Sequence, residues 1–224
     1  TFKPLGSANH ATIEFSPTED ALFVLHPDGQ LERFTLPSAQ RTTLLPLQSE
    51  TASAHSVSFS DDGRRIAIGR IDGSVLAFKF EAGRLVSEWE GWKPHFEHVD
   101  RVTYLSDGNT VVTCSRDGGI KFWDLGSNEE SMKLNPARDA FYSMAASTNG
   151  KRLVAGTASG QVHLWDVESQ RQVLVLEEVG TLPINRIAFP DENTLACADY
   201  KGIGLVVIKV PTWEQIKAEE SESN

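Results

Sequence analysis

Apolar and polar residues alternate along this chain in short runs, each closed by Gly, Asp, Asn or Ser, with no helical period between the repeated runs. In Arg116-Asp117-Gly118-Gly119-Ile120-Lys121-Phe122-Trp123-Asp124-Leu125 a tight turn, an alternating strand and a Trp-Asp pair fall within ten residues. A near-copy, Ser159-Gly160-Gln161-Val162-His163-Leu164-Trp165-Asp166-Val167, follows 42 residues later. Asp-Gly between alternating apolar runs predicts a hairpin, because the turn needs a positive φ that Gly tolerates and Asp nearly does. The second such segment predicts strands at 54–59, Arg65–Gly69, Ser74–Phe80 and Arg84–Trp89, joined by turns at Asp61-Asp62-Gly63, Asp72-Gly73 and Ala82-Gly83.

Two markers recur together. Turns at Asp28-Gly29, Asp72-Gly73, Asp117-Gly118, Ser159-Gly160 and Lys201-Gly202 step by 44, 45, 42 and 42 residues. Ahead of each lies an apolar strand running into a turn: Ile13–Pro17, Val57–Gly63, Val102–Gly108, Met144–Gly150 and Ile187–Asn193. A strand-only unit at that period is the signature of a β-propeller. Each repeat reads as a four-stranded antiparallel meander that cannot cover both of its faces alone and must stack on neighbours. The expected organisation is one all-β region over 1–217, with repeats near 7–49, 50–92, 93–136, 137–179 and 180–217, followed by an acidic tail at 218–224. Trp213-Glu214-Gln215-Ile216 is expected to be the last outer strand.

The Trp-Asp pairs at Trp123-Asp124 and Trp165-Asp166 resemble the WD40-repeat family of β-propellers, over essentially residues 1–217. The other repeats depart from the pattern, with Phe34-Thr35, Phe78-Lys79 and Val207-Ile208 at those places. The resemblance implies a structural tetrad of His95, Thr113, Asp117 and Trp123 in repeat three. Repeat four lacks the His and has Ala155 and Ser159 where a hydroxyl and an Asp are expected. It also implies that five blades are an arc of a seven- or eight-bladed ring, a closed five-bladed ring being the alternative. An arc exposes two apolar blade faces that further blades, from another segment or chain, would cover. Thr1-Phe2-Lys3-Pro4-Leu5-Gly6 is expected to be an outer-strand end that completes the last blade or belongs to a preceding one.

Charge and chemistry narrow the function. A net charge of −10 without a basic run argues against nucleic acid. No apolar run nears the ~20 residues of a membrane helix, and residues 1–6 lack the apolar core of a secretory signal. Cys114 and Cys197 fall in different, non-adjacent repeats, which predicts buried free thiols and a reducing, cytoplasmic setting. His95 and His98 lie three apart with no further ligand at metal spacing, so no metal or cofactor is expected. Gly156-Thr157-Ala158-Ser159-Gly160 has its serine misplaced for a nucleophile turn and no helix after it. Paired acids such as Asp61-Asp62 read as solvated charge.

What remains is surface. In the WD40 family the turns before the Trp-Asp strands and the starts of the inner strands share one rim. Here that implies a partner-binding set of His26, His55, Arg70, Asp100, Arg101, Arg116, Tyr142, Arg186 and Tyr200. Arginine and tyrosine dominate interface energies, and four arginines favour an acidic peptide, unless each pairs with a neighbouring acid such as Asp72, Asp100 or Asp199. The outer strand Arg171–Leu176 offers an unpaired edge as a second surface. The function expected is a non-enzymatic protein–protein interaction scaffold. The alternative is the sensory or regulatory propeller of a larger enzyme, such as a kinase or protease.

Overall fold

In a computed structural model the alternating runs are strands, and the structure describes residues 11–45, 53–127, 129–134, 139–177, 179–199, 204–212 and 214–215. Blade 1 is β1 (Thr12–Phe15), β2 (Ala21–Leu25), β3 (Leu31–Thr35) and β4 (Gln40–Leu45). Blade 2 is β5 (Ala54–Phe59), β6 (Arg65–Arg70), β7 (Val75–Glu81) and β8 (Arg84–Trp92), and blade 3 is β9 (Val99–Tyr104), β10 (Thr110–Ser115), β11 (Ile120–Asp124) and β12 (Glu129–Leu134). Blade 4 is β13 (Phe141–Ala146), β14 (Arg152–Thr157), β15 (Val162–Asp166) and β16 (Arg171–Leu176), and blade 5 is β17 (Ile184–Asp191), β18 (Thr194–Asp199) and β19 (Leu205–Lys209). Each sheet is an antiparallel meander in chain order, four strands wide in blades 1–4 and three in blade 5 among the described residues. The fold is that of β-propeller blades. Blades 1–3 belong to one compact unit and blades 4 and 5 to a second.

The turns fix the register. The glycines of the four described marker turns, Gly29, Gly73, Gly118 and Gly160, all have φ between 79° and 89°. Each donates its amide to the carbonyl three residues back, on His26, Arg70, Ser115 and Thr157. In three of these turns the aspartate before the glycine also accepts an amide two residues on, from Gln30, Ser74 and Gly119. That is the side-chain turn chemistry that favours Asp here.

Residues opposite one another across a strand pair share a face, so each blade has two faces, and within each unit neighbouring blades pack face to face. In the first unit, Phe23, Leu25 and Leu31 of blade 1 pack with Ala54, Val57, Ile66 and Phe78 of blade 2. Phe23 meets Phe59 at 4.5 Å between ring centres. Ala67 of blade 2 packs with Val102, Tyr104 and Val111 of blade 3, and Ala77 and Trp89 with Trp123. In the second unit, Val154, Val162 and Leu164 of blade 4 pack with Ile184, Leu195 and Cys197 of blade 5. Burying side chains of this size contributes about 1.5–3 kcal/mol apiece.

A polar clamp repeats beside this packing. Arg65 Nη1 donates to Gly108 O at 2.9 Å, tying blade 2 to the next blade's first turn. Arg152 Nη1 does the same to Glu192 O at 3.0 Å, tying blade 4 to blade 5. Gly73 permits another tie: His95 N donates to its carbonyl, and a Cβ there would collide with His95 O.

Blade 3 also carries a hydrogen-bonded chain. His95 Nδ1 lies 2.9 Å from Asp117 Oδ2, and since a carboxylate only accepts, Nδ1 bears the proton. In the neutral ring Nε2 then accepts from Thr113 Oγ1 at 2.8 Å, and Thr113 Oγ1 accepts from Trp123 Nε1 at 3.4 Å. Burial pushes the Asp117 carboxyl up, but the hydrogen bonds from His95 and from the amides of Gly119 and Phe96 outweigh it and hold the pKa below the usual carboxylate value. In blade 4, Ser159 stands in the aspartate's place; Asp139 accepts its amide at 2.9 Å, and His163 stacks on Trp165 at 5.7 Å.

The segment expected as a last outer strand differs. Glu214–Gln215 is helical, because Thr212 and Gln215 form a reciprocal cap: Thr212 N donates to Gln215 Oε1 at 2.8 Å and Gln215 N to Thr212 Oγ1 at 3.3 Å. Trp213 and Ile216, residues 1–6, Lys201-Gly202 and the tail at 218–224 lie outside the described residues.

Three outcomes follow from this packing. Thr113→Val strips the partners from the buried Trp123 Nε1 and His95 Nε2 and is expected to cost about 2 kcal/mol, roughly 4–8 °C in Tm. Because the Asp117 pKa is depressed, its contribution is complete above about pH 4 and is lost as pH falls through the lower native value. Circular-dichroism melts should therefore show the gap between wild type and Asp117→Asn closing from pH 7 to pH 3; an equal gap at both pH values contradicts this. Arg152→Ala should lower Tm by a similar amount and speed hydrogen exchange in β17 and β18, leaving β5 and β6 unchanged.

Candidate functional site

The inner strands bulge at one recurring place. The register slips between Ala54 and Ser56, Phe141 and Ser143, and Ile184 and Arg186, and opposite Cys114 and Ser115 between Val99 and Arg101. The unpaired residues are His55, Tyr142, Asn185 and Asp100, and in blades 2–4 the start of the inner strand is tied to the marker turn by Ile71 N to Ser53 O, Arg116 N to His98 O and Ala158 N to Ala140 O. A bulge re-aims a side chain out of the ladder, so the strands themselves put these groups at the rim end of each blade.

In the first unit this end is a charged cluster. Asp100 is 1% exposed. Arg116 grips its carboxylate with two bonds, Nε at 2.9 Å and Nη2 at 3.0 Å, and His55 Nε2 stands 3.3 Å away. Arg101 Nη1 donates to the carbonyl of Asp100 at 2.8 Å. The Asp100–Arg116 pair is therefore built into the structure, because removing the guanidinium would leave a buried carboxylate without its main partner. Arg70 ends β6 beside Asp72; burial pushes the Asp72 carboxyl up, while bonds from Ser74 and the charges of Arg70 and Lys93 bring it below the usual value. His26 turns away from the group, to Glu32 Oε2 at 3.2 Å on the flank of blade 1, where Arg41 holds the same fully buried carboxylate.

In the second unit, Tyr142 occupies the bulge of β13. Arg186 is exposed in β17 and donates to Asn185 O at 2.9 Å, the same pose Arg101 takes on Asp100. Tyr200 lies outside the described residues.

The loop between β8 and β9 adds a residue that motif reading passes over. Phe96 is 81% exposed. Its amide donates to Asp117 Oδ2 at 3.4 Å, and both flanks are tied down: His95 by the buried chain described above, and Glu97 O by Ser115 Oγ at 3.3 Å. His98 O accepts the Arg116 amide at 3.2 Å, so Phe96 stands on a fixed platform next to the arginine cluster. His98 itself is half-buried with its Nδ1 shielded from water; burial and then Arg116 hold its pKa below the usual histidine value, against the opposing pull of Asp100. The signal available in sequence was an aromatic between two histidines in a loop of charged neighbours, which metal spacing alone does not flag.

Among the described residues no group of three His, Cys, Asp or Glu side chains is placed to hold a metal ion, and no helix is long and apolar enough to cross a membrane. Cys114 and Cys197 are buried and free. The geometry offers contact: a rigid aromatic, cationic side chains around it, and bulged strands that display them.

Comparison with known proteins agrees with the blades. Residues 66–209 match the family described as Nucleolar protein 10-like, N-terminal domain, and residues 13–104 match the Anaphase-promoting complex subunit 4 WD40 domain. The chain is 21% identical over 147 residues to Target of rapamycin complex subunit wat1 of Schizosaccharomyces pombe, covering 65% of this chain and 46% of that protein. It is 27% identical over 158 residues to Autophagy-related protein 16 of Arabidopsis thaliana, covering 69% and 28%. It spans less than half the length of these curated relatives. Among solved structures, a chain in a crystal structure of the mitotic checkpoint complex superimposes with a TM-score of 0.74 at 18% identity, over 85% of this chain and 59% of that one. The chain belongs to the WD40 β-propellers, in the family of the Nucleolar protein 10-like N-terminal domain.

Proposed function

We propose that this chain is a non-enzymatic protein-interaction scaffold that grips an acidic peptide of its partner at the rim shared by blades 2 and 3. The observation that carries the reading is Phe96, held 81% exposed on a platform fixed by His95, Asp117 and Ser115. A rigid aromatic loses little conformational freedom on contact, which is why such residues anchor interfaces. Arg70, Lys93, Arg101 and Arg116 add positive charge at this end of blades 2 and 3, which attracts acidic side chains. The names of two similar proteins place them in assemblies, a target of rapamycin complex and a mitotic checkpoint complex, which supports protein partners as the class. Two free thiols, with burial pushing Cys197 up to about 11, suit a reducing compartment.

An array of acidic peptides, each with one apolar residue, tests the proposal directly. Phe96→Ala should weaken the best binders at least tenfold, a loss of about 1.4 kcal/mol, with Tm unchanged to within about 1 °C. Binding should also weaken as salt is raised. Binding unaffected by Phe96→Ala, or no preference for acidic over basic peptides, would contradict it.

A further inference from the structure

At the rim end of blades 2 and 3 one buried carboxylate stands among three basic side chains. Asp100 is 1% exposed. Its Oδ2 accepts from Arg116 Nε at 2.9 Å, and its Oδ1 is contested, with Arg116 Nη2 at 3.0 Å and His55 Nε2 at 3.3 Å. His98 is the third base. It lies within electrostatic range of Arg116, Asp100 and His55, and its Nδ1 is shielded from water with no hydrogen-bond partner among the described residues.

Both histidines are anchored through the backbone. His55 occupies the bulge of β5, and its carbonyl accepts from Thr12 Oγ1 of β1 at 2.9 Å. His98 O accepts the Arg116 amide at 3.2 Å, so the arginine is tied to the histidine by its backbone and to the carboxylate by its guanidinium. The other charges here come from several elements. The loop of His98 supplies Glu97; β9 supplies Arg101, whose charge acts on Glu14 of β1; blade 2's marker turn supplies Arg70 and Asp72, with Lys93 acting on the same aspartate. His95, in the same loop, turns inward to Asp117 and Thr113.

With both imidazoles neutral, the charges of Arg116 and Asp100 cancel. A proton on either ring adds positive charge beside the guanidinium, with the single carboxylate of Asp100 already shared between Arg116 and His55. Burial and then Arg116 hold His98 below the usual histidine value, against the pull of Asp100, and His55 presses the same way as Arg116. A carboxylate brought by a partner supplies the missing counter-charge and reverses that balance. We propose that this rim takes up protons on His55 and His98 as it binds an acidic peptide, so that acidification strengthens capture. The inference rests on the rim reading above and adds its regulation. Its sign follows from linkage: a histidine neutral in the free protein and charged in the complex favours binding as pH falls through the interval between its two values, around and below about 6.5. Aspartate and glutamate of the peptide are half-protonated only near about pH 4, and lysine and arginine keep their charge throughout, so the change belongs to the histidines.

The test uses the best acidic peptide of the array on the 224-residue chain. Titration calorimetry at pH 6.5, repeated in two buffers of different ionisation enthalpy, reads proton uptake on the wild type without any variant; about half a proton or more per peptide is expected. Between pH 7.5 and pH 5.5 the affinity should rise about fivefold or more, and replacing the peptide's acids by Gln and Asn should abolish the rise. Combining His55→Gln with His98→Gln should bring the ratio of the two affinities close to one, whatever the affinity at pH 7.5 becomes. Absence of proton uptake by the wild type overturns the proposal. So does a pH dependence that survives in the double variant, since it then lies in another group such as His95. Peptide bound equally at both pH values sinks this inference and leaves the rim reading standing, whereas no capture at either pH sinks both.

Discussion

A four-stranded antiparallel sheet with apolar residues on both faces is stable only when both are covered, and that constraint shapes everything else in this chain. Phe23 against Phe59 and Ala67 against Val102 in the first unit, and Val154 against Ile184 and Leu195 in the second, are the same solution repeated. The polar features serve the stack. Arg65 and Arg152 reach over a junction to a carbonyl of the next blade, and glycine at position 73 lets the incoming segment lie directly on the preceding turn. Because stability is handed from blade to neighbour, a repeat may lose its Trp-Asp pair, as blades 1, 2 and 5 have, and still keep its place.

The rim follows from the stack rather than being added to it. Bulges in the inner strands displace one residue in each of blades 2–5, and turn glycines with positive φ set adjoining loops in blades 2–4, so that contact residues come from several strands at one end of these blades. Blade 3 invests most in this arrangement. Its buried chain from Trp123 through Thr113 and His95 to Asp117 ends on the amide of Phe96, so the same carboxylate that locks the blade also positions the exposed aromatic.

Much of the architecture was legible because the markers are local. Asp-Gly turns and alternating strands depend on a few adjacent residues, and the described strands of repeat two differ from the expected ones by no more than three residues at an end. Side-chain partnerships were less legible because they depend on distant residues. The sequence does not say that His26 and Arg41 converge on a buried Glu32, or that Asp100 is buried under Arg116 instead of standing open at the rim. The exposure of Phe96 is not legible in the sequence for a related reason: in a loop, exposure is decided by the neighbours' bonds. At Glu214–Gln215 a local signal was present, the Thr-x-x-Gln cap, but the expectation of a closing strand overrode it.

Strand-resolved hydrogen exchange on the 224-residue chain tests the central claim most directly. If each blade is held by its neighbours, amides of β6 and β7 should exchange slowest within the first unit, while β1 of blade 1 and β19 of blade 5, each on a blade with one uncovered face, should exchange orders of magnitude faster. Uniform protection across all the strands, or greater protection in β1 and β19 than in β7, would contradict the account.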